Sequence, residues 1–442
     1  MKTTTNFVCQ ECGYDSPKFM GKCPECGQWN TLKEIKVSSN LKSQVASFKS
    51  KDELKPLKLS EITYREGERL ATGFSEMDEV LGGGIVLGSV ILLAGDPGVG
   101  KSTLLLQMAL GNKAPKSNAS PVLYISGEES EQQIKIRAQR ISKNNKDNSL
   151  LLLSLTNTDE AVNAIINTKP SLVIVDSIQT MESENLTGLS GSVGQVRYAA
   201  LQFIRTAKTL NIPVIIVGHV TKEGMVAGPM VLSHMVDTVL FLEGEKTTGT
   251  RLLRSLKNRF GPVDEVGVFT MQEGGMTEVK NPEQVFLTAN SKEAVGSVLV
   301  ITLEGSRAFL VEIQALVVFS KLPMPRRVAS GFDYKRLELL LAVLQKHGKL
   351  PVDSMDVFVN VAGGLKLSDP AGDLGICLAI FSSLKNLSLK RVVAVGEVGL
   401  LGELRPVSSL EKRIKEAKKL GFTKILSSST YKSLDQVLKS FS

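Results

Sequence analysis

The chain has 442 residues, with 53 Lys and Arg against 45 Asp and Glu for a formal net charge of +8. That length exceeds one ordinary core and predicts about three domains, while the positive balance fits a polyanionic partner without requiring one. No apolar run approaches the roughly 18 residues of a membrane span, residues 1–7 lack the apolar core of a signal peptide, and the cysteines do not follow a secreted disulfide pattern, so a cytoplasmic protein with no membrane partner is expected.

Residues 1–36 read as a compact cysteine-rich head. Cys9-x-x-Cys12 and Cys23-x-x-Cys26 form two knuckles, each followed by a glycine, Gly13 and Gly27, where a tight turn points backbone amides at sulfur. Four thiolates with no nearby His fit a closed tetrahedral Zn²⁺ site. A head this small gains much of its folding energy from such a metal. Two disulfides or a redox pair are the alternatives; the cytosolic setting argues against the first and the matched knuckles against the second. Residues 37–59, rich in Ser and Lys, read as a solvated linker.

Across residues 60–280, short β-rich runs alternate with helical ones. Candidate strands at 90–94, 122–126, 172–176, 214–218 and 238–242 predict a mostly parallel sheet covered by helices on both faces. Runs at 252–256 and 266–271 predict an antiparallel extension. After the first strand, Gly95-Asp96-Pro97-Gly98-Val99-Gly100-Lys101-Ser102 fits the phosphate-loop pattern G-x-x-x-x-G-K-[ST] without a mismatch, and Thr103 opens a helical run. In that setting backbone N–H groups close around the β-phosphate of ATP, aided by the helix dipole. Lys101 can reach the β- and γ-phosphates and Ser102 can hold Mg²⁺.

The strand at 172–176 ends in Asp176, where a phosphate-loop enzyme needs its Mg²⁺-side carboxylate. Tyr124-Ile125-Ser126-Gly127-Glu128-Glu129 places two more carboxylates at the sheet edge that faces the ligand crevice. Glu128 is the expected water-activating base and Glu129 the fallback; the plain alternative is that either caps the next helix. His219 either senses the γ-phosphate or makes a structural hydrogen bond. His234 and His347 have no such placement.

Thr72-Gly73-Phe74-Ser75-Glu76-Met77-Asp78 and Leu81-Gly82-Gly83-Gly84 run into the phosphate loop as in RecA-like ATPases, and Lys257-Asn258-Arg259-Phe260-Gly261 resembles the KNRFG motif of the bacterial RadA/Sms family. The cysteine head, Asp176-Ser177-Ile178-Gln179-Thr180 and the C-terminal block match as well, so the resemblance covers essentially the whole chain. It implies an α/β fold: a RecA-like P-loop ATPase core, an N-terminal four-Cys zinc-ribbon-like head and a C-terminal Lon-protease-like domain. It also implies a homo-hexameric ring, similar to DnaB-type helicases, that moves on single-stranded DNA and promotes branch migration of branched recombination intermediates alongside RecA. In that setting Lys257 and Arg259 reach across a subunit boundary to a neighbour's γ-phosphate, as arginine fingers do. The plain alternative is that they bind DNA phosphates or solvate a strand end. With aromatic residues at 5%, DNA binding rests on charge and backbone contacts. The loops at 181–195, with Arg197 beyond, and at 221–228, with Lys222, are the candidate DNA contacts, and glycines give both the mobility an ATP-driven movement needs.

Residues 281–442 form a second α/β block, with strands at 296–303, 308–317 and 357–361 and an apolar helix at 337–344. The segment 396–407 resembles the proteolytic domain of Lon peptidases, whose site needs a Ser activated by a Lys. The segment matching the serine motif, Asp369-Pro370-Ala371-Gly372-Asp373, has no Ser at the expected place, and Ser368 only precedes it. The lysine position falls on Glu411, beside Lys412. No peptidase activity is therefore expected. Lys321, Arg326, Arg327, Lys335 and Arg336 form basic density that either binds DNA or is a solvated loop, and Cys377 reads as core.

Overall fold

A computed structural model describes residues 4–9, 15–25, 27–37, 58, 69–111, 120–141, 150–186, 188–219, 232–244, 249–279, 294–364, 366–389 and 391–441. It divides into two compact units, Met1–Gly244 with Arg251–Glu278, and Glu245–Thr250 with Val279–Ser442. Most of the expected linker lies outside the described residues. No helix among the described residues is long and apolar enough to cross a membrane.

The first unit begins with a three-stranded sheet of β1 (Thr4–Cys9), β2 (Asp15–Ser16) and β3 (Leu32–Val37), in the order β2-β1-β3. After the short pair β4 (Arg69–Leu70) and β5 (Ile85–Val86) comes a nine-stranded sheet. Its strands are β6 (Val90–Gly95), β7 (Val122–Ser126), β8 (Leu150–Ser154), β9 (Leu172–Asp176), β10 (Val214–His219), β11 (Thr238–Glu243), β12 (Thr250–Asn258), β13 (Val266–Gln272) and β14 (Gly275–Glu278). The order is β14-β13-β12-β11-β6-β10-β9-β7-β8. From β11 to β8 every pairing is parallel, whereas β11–β12 and β13–β14 are antiparallel.

Alternation along β6 explains why its whole run is apolar. Val90 and Leu92 enter one core with Val173, Val214 and Phe203, while Ile91 and Leu93 enter another with Leu104, Ile174 and Ile215. A central parallel strand is buried on both faces and so has no polar side. Helices α1 (Ser75–Leu81), α2 (Lys101–Gly111) and α3 (Glu131–Ile141) cover the second face. Helices α4 (Thr158–Thr168) and α5 (Val193–Leu210) cover the first. The start of α4 is fixed by Asn157, whose side chain accepts from the amides of Asp159 and Glu160. Residues 193–195, expected within a mobile loop, instead open α5. Gln195 is buried there, and its side-chain amide donates to the carbonyls of Ser183 and Leu186 at 3.2 and 3.1 Å, which binds the preceding segment to the helix.

The second unit is built on a six-stranded sheet ordered β17-β18-β16-β15-β19-β22. These are β15 (Ser297–Glu304), β16 (Arg307–Phe319), β17 (Arg327–Ser330), β18 (Met355–Val361), β19 (Val392–Val395) and β22 (Lys424–Ser427), while β20 (Glu397–Val398) and β21 (Leu404–Arg405) form a small separate pair. Helix α6 (Tyr334–Lys346) is amphipathic, whereas α7 (Asp373–Lys385) is apolar on nearly every side because it lies across β15 and β16. Cys377 is fully buried in α7, and burial pushes its thiol far above the ordinary range. Helices α8 (Leu410–Lys419) and α9 (Leu434–Lys439) complete the unit.

Candidate active site

Parallel registry brings four chain segments to one edge of the nine-stranded sheet. Gly95 pairs with His219, and Ser126 pairs with Asp176. The C-terminal ends of β6, β10, β9 and β7 therefore stand side by side, where an open α/β sheet binds its ligand. Gly95–Ser102 leads into α2, whose first turn carries no acidic residue, so its N-terminal positive end is not neutralised by the helix itself. Space above Gly98 is open to at least 4 Å around an ideal Cβ. Lys101 is buried, and its Nζ donates to the carbonyls of Gly95 and Asp96 at 2.7 and 3.0 Å. Burial lowers its pKa, with the charges of Asp176, Asp96 and Glu128 opposing that shift. An open loop at an unneutralised helix end, above a buried ammonium, fits the phosphates of ATP, and Ser102 and Asp176 supply the oxygen donors that Mg²⁺ prefers.

The two candidate carboxylates after β7 have different surroundings. Ser177 Oγ donates to Glu128 Oε1 at 2.6 Å, and His219 Nε2 lies 3.4 Å from the same oxygen. The His219 hydrogen bond chiefly, opposed by partial burial and aided by Ser177 and by the charges of His219 and Lys101, holds the Glu128 carboxyl down at about 2. Glu129 instead pairs with Arg137 at 2.8 Å. Gly127 lets the chain before them pass close against Thr180, because a Cβ there would lie 2.0 Å from Thr180 Oγ1. Asp176 accepts from the Tyr124 hydroxyl at 2.5 Å. On the other side of the phosphate loop, buried Arg251 donates from Nε to the Val99 carbonyl at 2.9 Å.

Lys257 and Arg259 lie at the opposite edge of the same sheet. Antiparallel pairing sets Asn258 against Thr238, which itself pairs with Ile91 near the start of β6. Arg259, whose amide donates to the Asp237 carbonyl beside Val90, stands five residue steps, roughly 17 Å, from Gly95 along β6 and does not reach the phosphate loop of its own chain. Lys257 pairs with Val239 opposite Leu92 and has its ammonium held by backbone carbonyls. Lys257 Nζ donates to the carbonyls of Ser233 and Val236 at 2.7 and 2.8 Å. Arg259 is more than half exposed and pairs with Asp237 Oδ1 at 3.2 Å. Asp237 is buried and also accepts from the Val90 amide and from Lys208.

Other candidate residues are scattered. Cys9 and Cys23 are fully buried together with Leu32, and Cys9 Sγ donates to Thr31 Oγ1 at 3.2 Å. Gly27, in the left-handed region, donates its amide to the Cys23 carbonyl at 2.9 Å. Two soft donors clustered beside such a turn suit a thiolate-bound metal. Cys12 and Cys26 lie outside the described residues, as do Lys222 and the whole segment 221–228. Arg197 is part-buried in the second turn of α5. Arg326 is exposed, whereas Arg327 directs its guanidinium to the carbonyls of Arg326, Met355 and Val352. Ala371 is fully buried in a core cluster with Val393 and Val395, while Glu411 is exposed.

Residue-by-residue reading of the chain did not single out Tyr124, Ser177, Asp237 or Arg251. Only parity gives a signal for Tyr124: it alternates onto the same face as Val122, with the helix that follows the phosphate loop. Asp237 carries a weaker one, as a lone acid before an apolar strand.

Comparison with known proteins reaches most of the chain. A family model described as an AAA domain matches residues 55–225, one described as a rubredoxin metal binding domain matches 7–34, and one described as subunit ChlI of Mg-chelatase matches 336–430. DNA repair protein RadA of Bacillus subtilis is 47% identical over 428 residues, covering 96% of this chain and 92% of that protein. Its namesake in Pseudomonas aeruginosa is 46% identical over 426 residues, covering 96% and 93%. A solved RadB recombinase aligns at 23% identity with a TM-score of 0.38, over 48% of this chain and 100% of that one, a likeness too remote to carry weight.

Proposed function

We propose that this chain, which belongs to the family of the DNA repair protein RadA, is a DNA-dependent ATPase motor. It binds single-stranded and branched DNA and drives branch migration or unwinding of recombination intermediates, alongside RecA. An ATPase with a RecA-like core, a zinc-ribbon head and a Lon-like C-terminal domain is the frame on which this reading stands. The observation that carries it is the separation of chemistry between two edges of one sheet. Lys101, Glu128 and Asp176 sit at one edge and Arg259 at the other, which supports a reading in which hydrolysis in one subunit is completed by its neighbour in a homo-hexamer.

Within the site, residues 95–103 bind the nucleotide, and Ser102 and Asp176 would hold Mg²⁺. The metal, when bound, neutralises charge that builds on the phosphate oxygens. Lys101 turns from the Gly95 and Asp96 carbonyls toward the phosphates. A carboxylate held near 2, as Glu128 is, is a weak base; it orients a water and takes its proton late, as charge develops. Lys257 and Arg259 serve the neighbouring site, Arg259 as the exposed cation that stabilises transition-state charge. Cys9, Cys12, Cys23 and Cys26 hold Zn²⁺, and Arg197, Lys222, Arg326 and Arg327 are the proposed DNA contacts.

The C-terminal domain does not cleave peptides in this reading. Beyond the missing Ser and Lys, Ala371 in the serine-motif segment is packed inside the core, out of a substrate's reach. ATP hydrolysis and strand displacement on tailed against blunt DNA test the proposal. Tailed DNA should stimulate both, and Lys101→Ala should abolish both. Turnover indifferent to single-stranded DNA would favour a regulatory ATPase that does not move, and degradation of an unfolded protein would revive a peptidase.

A further inference from the structure

We infer that Tyr124 is a positioning residue for the Mg²⁺-side carboxylate, and that Glu129 and Arg137 exist to hold it in that role. The inference rests on the reading of Asp176 as that carboxylate. Tyr124 is fully buried on β7, directly beside the strand that ends in Asp176, and its hydroxyl donates to Asp176 Oδ2 at 2.5 Å. A phenol has one proton to give. Arg137 Nη2 donates to the same phenol oxygen at 3.4 Å, which leaves that proton directed at the carboxylate. Arg137 is in turn held by Glu129 Oε2 at 2.8 Å. The chain of contacts therefore runs from Glu129 through Arg137 and Tyr124 to Asp176, and it occupies one carboxylate oxygen, Oδ2.

This arrangement gives the adjacent acids separate tasks. Glu128 turns toward Ser177 and His219, at the place of the reacting water, while Glu129 turns toward α3 and supports the metal side through two intervening side chains. A carboxylate fixed by the phenol meets the metal shell in one orientation, and outer partners of this kind are worth roughly tenfold or more in metal affinity.

Tyr124→Phe keeps the ring and removes only the hydroxyl. Mn²⁺ added to the full-length protein with ADP, followed by electron paramagnetic resonance, reads metal affinity without turnover. The expected result is a rise of roughly tenfold in the Mn²⁺ dissociation constant, with metal-free ADP affinity and melting temperature close to wild type. The Mg²⁺ concentration for half-maximal ATP hydrolysis should rise in parallel. Arg137→Gln should move both values in the same direction by a smaller factor, and it stands in if Tyr124→Phe does not fold. Unchanged Mn²⁺ affinity in both variants, with a clear loss in Asp176→Asn, would overturn the positioning role. An unchanged value in Asp176→Asn as well would instead overturn the assignment of Asp176 on which it rests.

Discussion

The proposed split of the site between subunits makes a quantitative demand on mixed assemblies. Lys101→Ala removes the phosphate-side cation of a subunit but leaves its Arg259 in place, whereas Arg259→Ala does the reverse. Each variant alone should be nearly inactive, since an arginine finger contributes on the order of a thousandfold or more to turnover. The five-step length of β6 separates the two groups within one chain by roughly 17 Å, farther than an arginine side chain extends. If both acted within one subunit, every subunit of a mixture would carry a defect and activity would stay near zero. If they act across a boundary, random mixing at equal amounts leaves half the phosphate loops intact. Half of those face an intact Arg259, so about a quarter of boundaries are complete and turnover should recover to about a quarter of wild type. Steady-state ATP hydrolysis with single-stranded DNA, measured on co-assembled and separately assembled pools, gives the answer. A co-assembled pool no more active than its parents, with mixed rings demonstrated by two affinity tags, would refute the reasoning.

Four further outcomes are expected. Asp237→Asn frees Arg259 from its carboxylate, so it should lower turnover and yet, like Arg259→Ala, regain activity when co-assembled with Lys101→Ala; failure to do so would confine Asp237 to a local structural role. His219→Ala removes the chief cause holding the Glu128 carboxyl at about 2, below its ordinary 4.5; the charged form that persists above that low value is then lost earlier as pH falls, and the acid limb of the kcat profile should move upward. Phe203→Ala opens a hole in a fully buried core position and should cost about 3–5 kcal/mol in denaturant unfolding. Cys23→Ser should abolish the zinc of about one equivalent per chain that metal analysis of the wild type finds, and a strong chelator should do the same.

The central strands were legible because they are buried on both faces, which leaves uninterrupted apolar runs: β6, β7, β9 and β10 fall within a residue of their expected bounds. β8 was not, since Leu150–Ser154 is a run of leucines without β-branched residues, at the sheet's margin and only partly buried. β19 has four residues and β17 is a short outer strand, too brief for periodicity to register. In the candidate site, the phosphate loop is contiguous and Asp176 closes an apolar strand, so both can be read locally. The contacts that divide Glu128 from Glu129 cannot. Ser177 meets Glu128 across 49 positions and Tyr124 meets Asp176 across 52, and only the strand order β9-β7 brings those pairs together. The same limit hid Asp237, whose side chain looks like an ordinary strand-entry acid until Arg259 folds back onto it.

Placing the phosphate loop and Arg259 at opposite margins of one sheet gives the molecule a front and a back. An isologous dimer, in which one patch meets its own copy, cannot bring front to back on both partners through a single contact. In the proposed split-site reading only heterologous contact completes a site, and each added copy completes one while presenting another half-site. A closed ring then has as many finished sites as subunits, whereas an open filament always has one fewer. On that reading closure is itself a source of activity, and a subunit that adds to an end changes the turnover of the copy it joins without altering a single bond inside it.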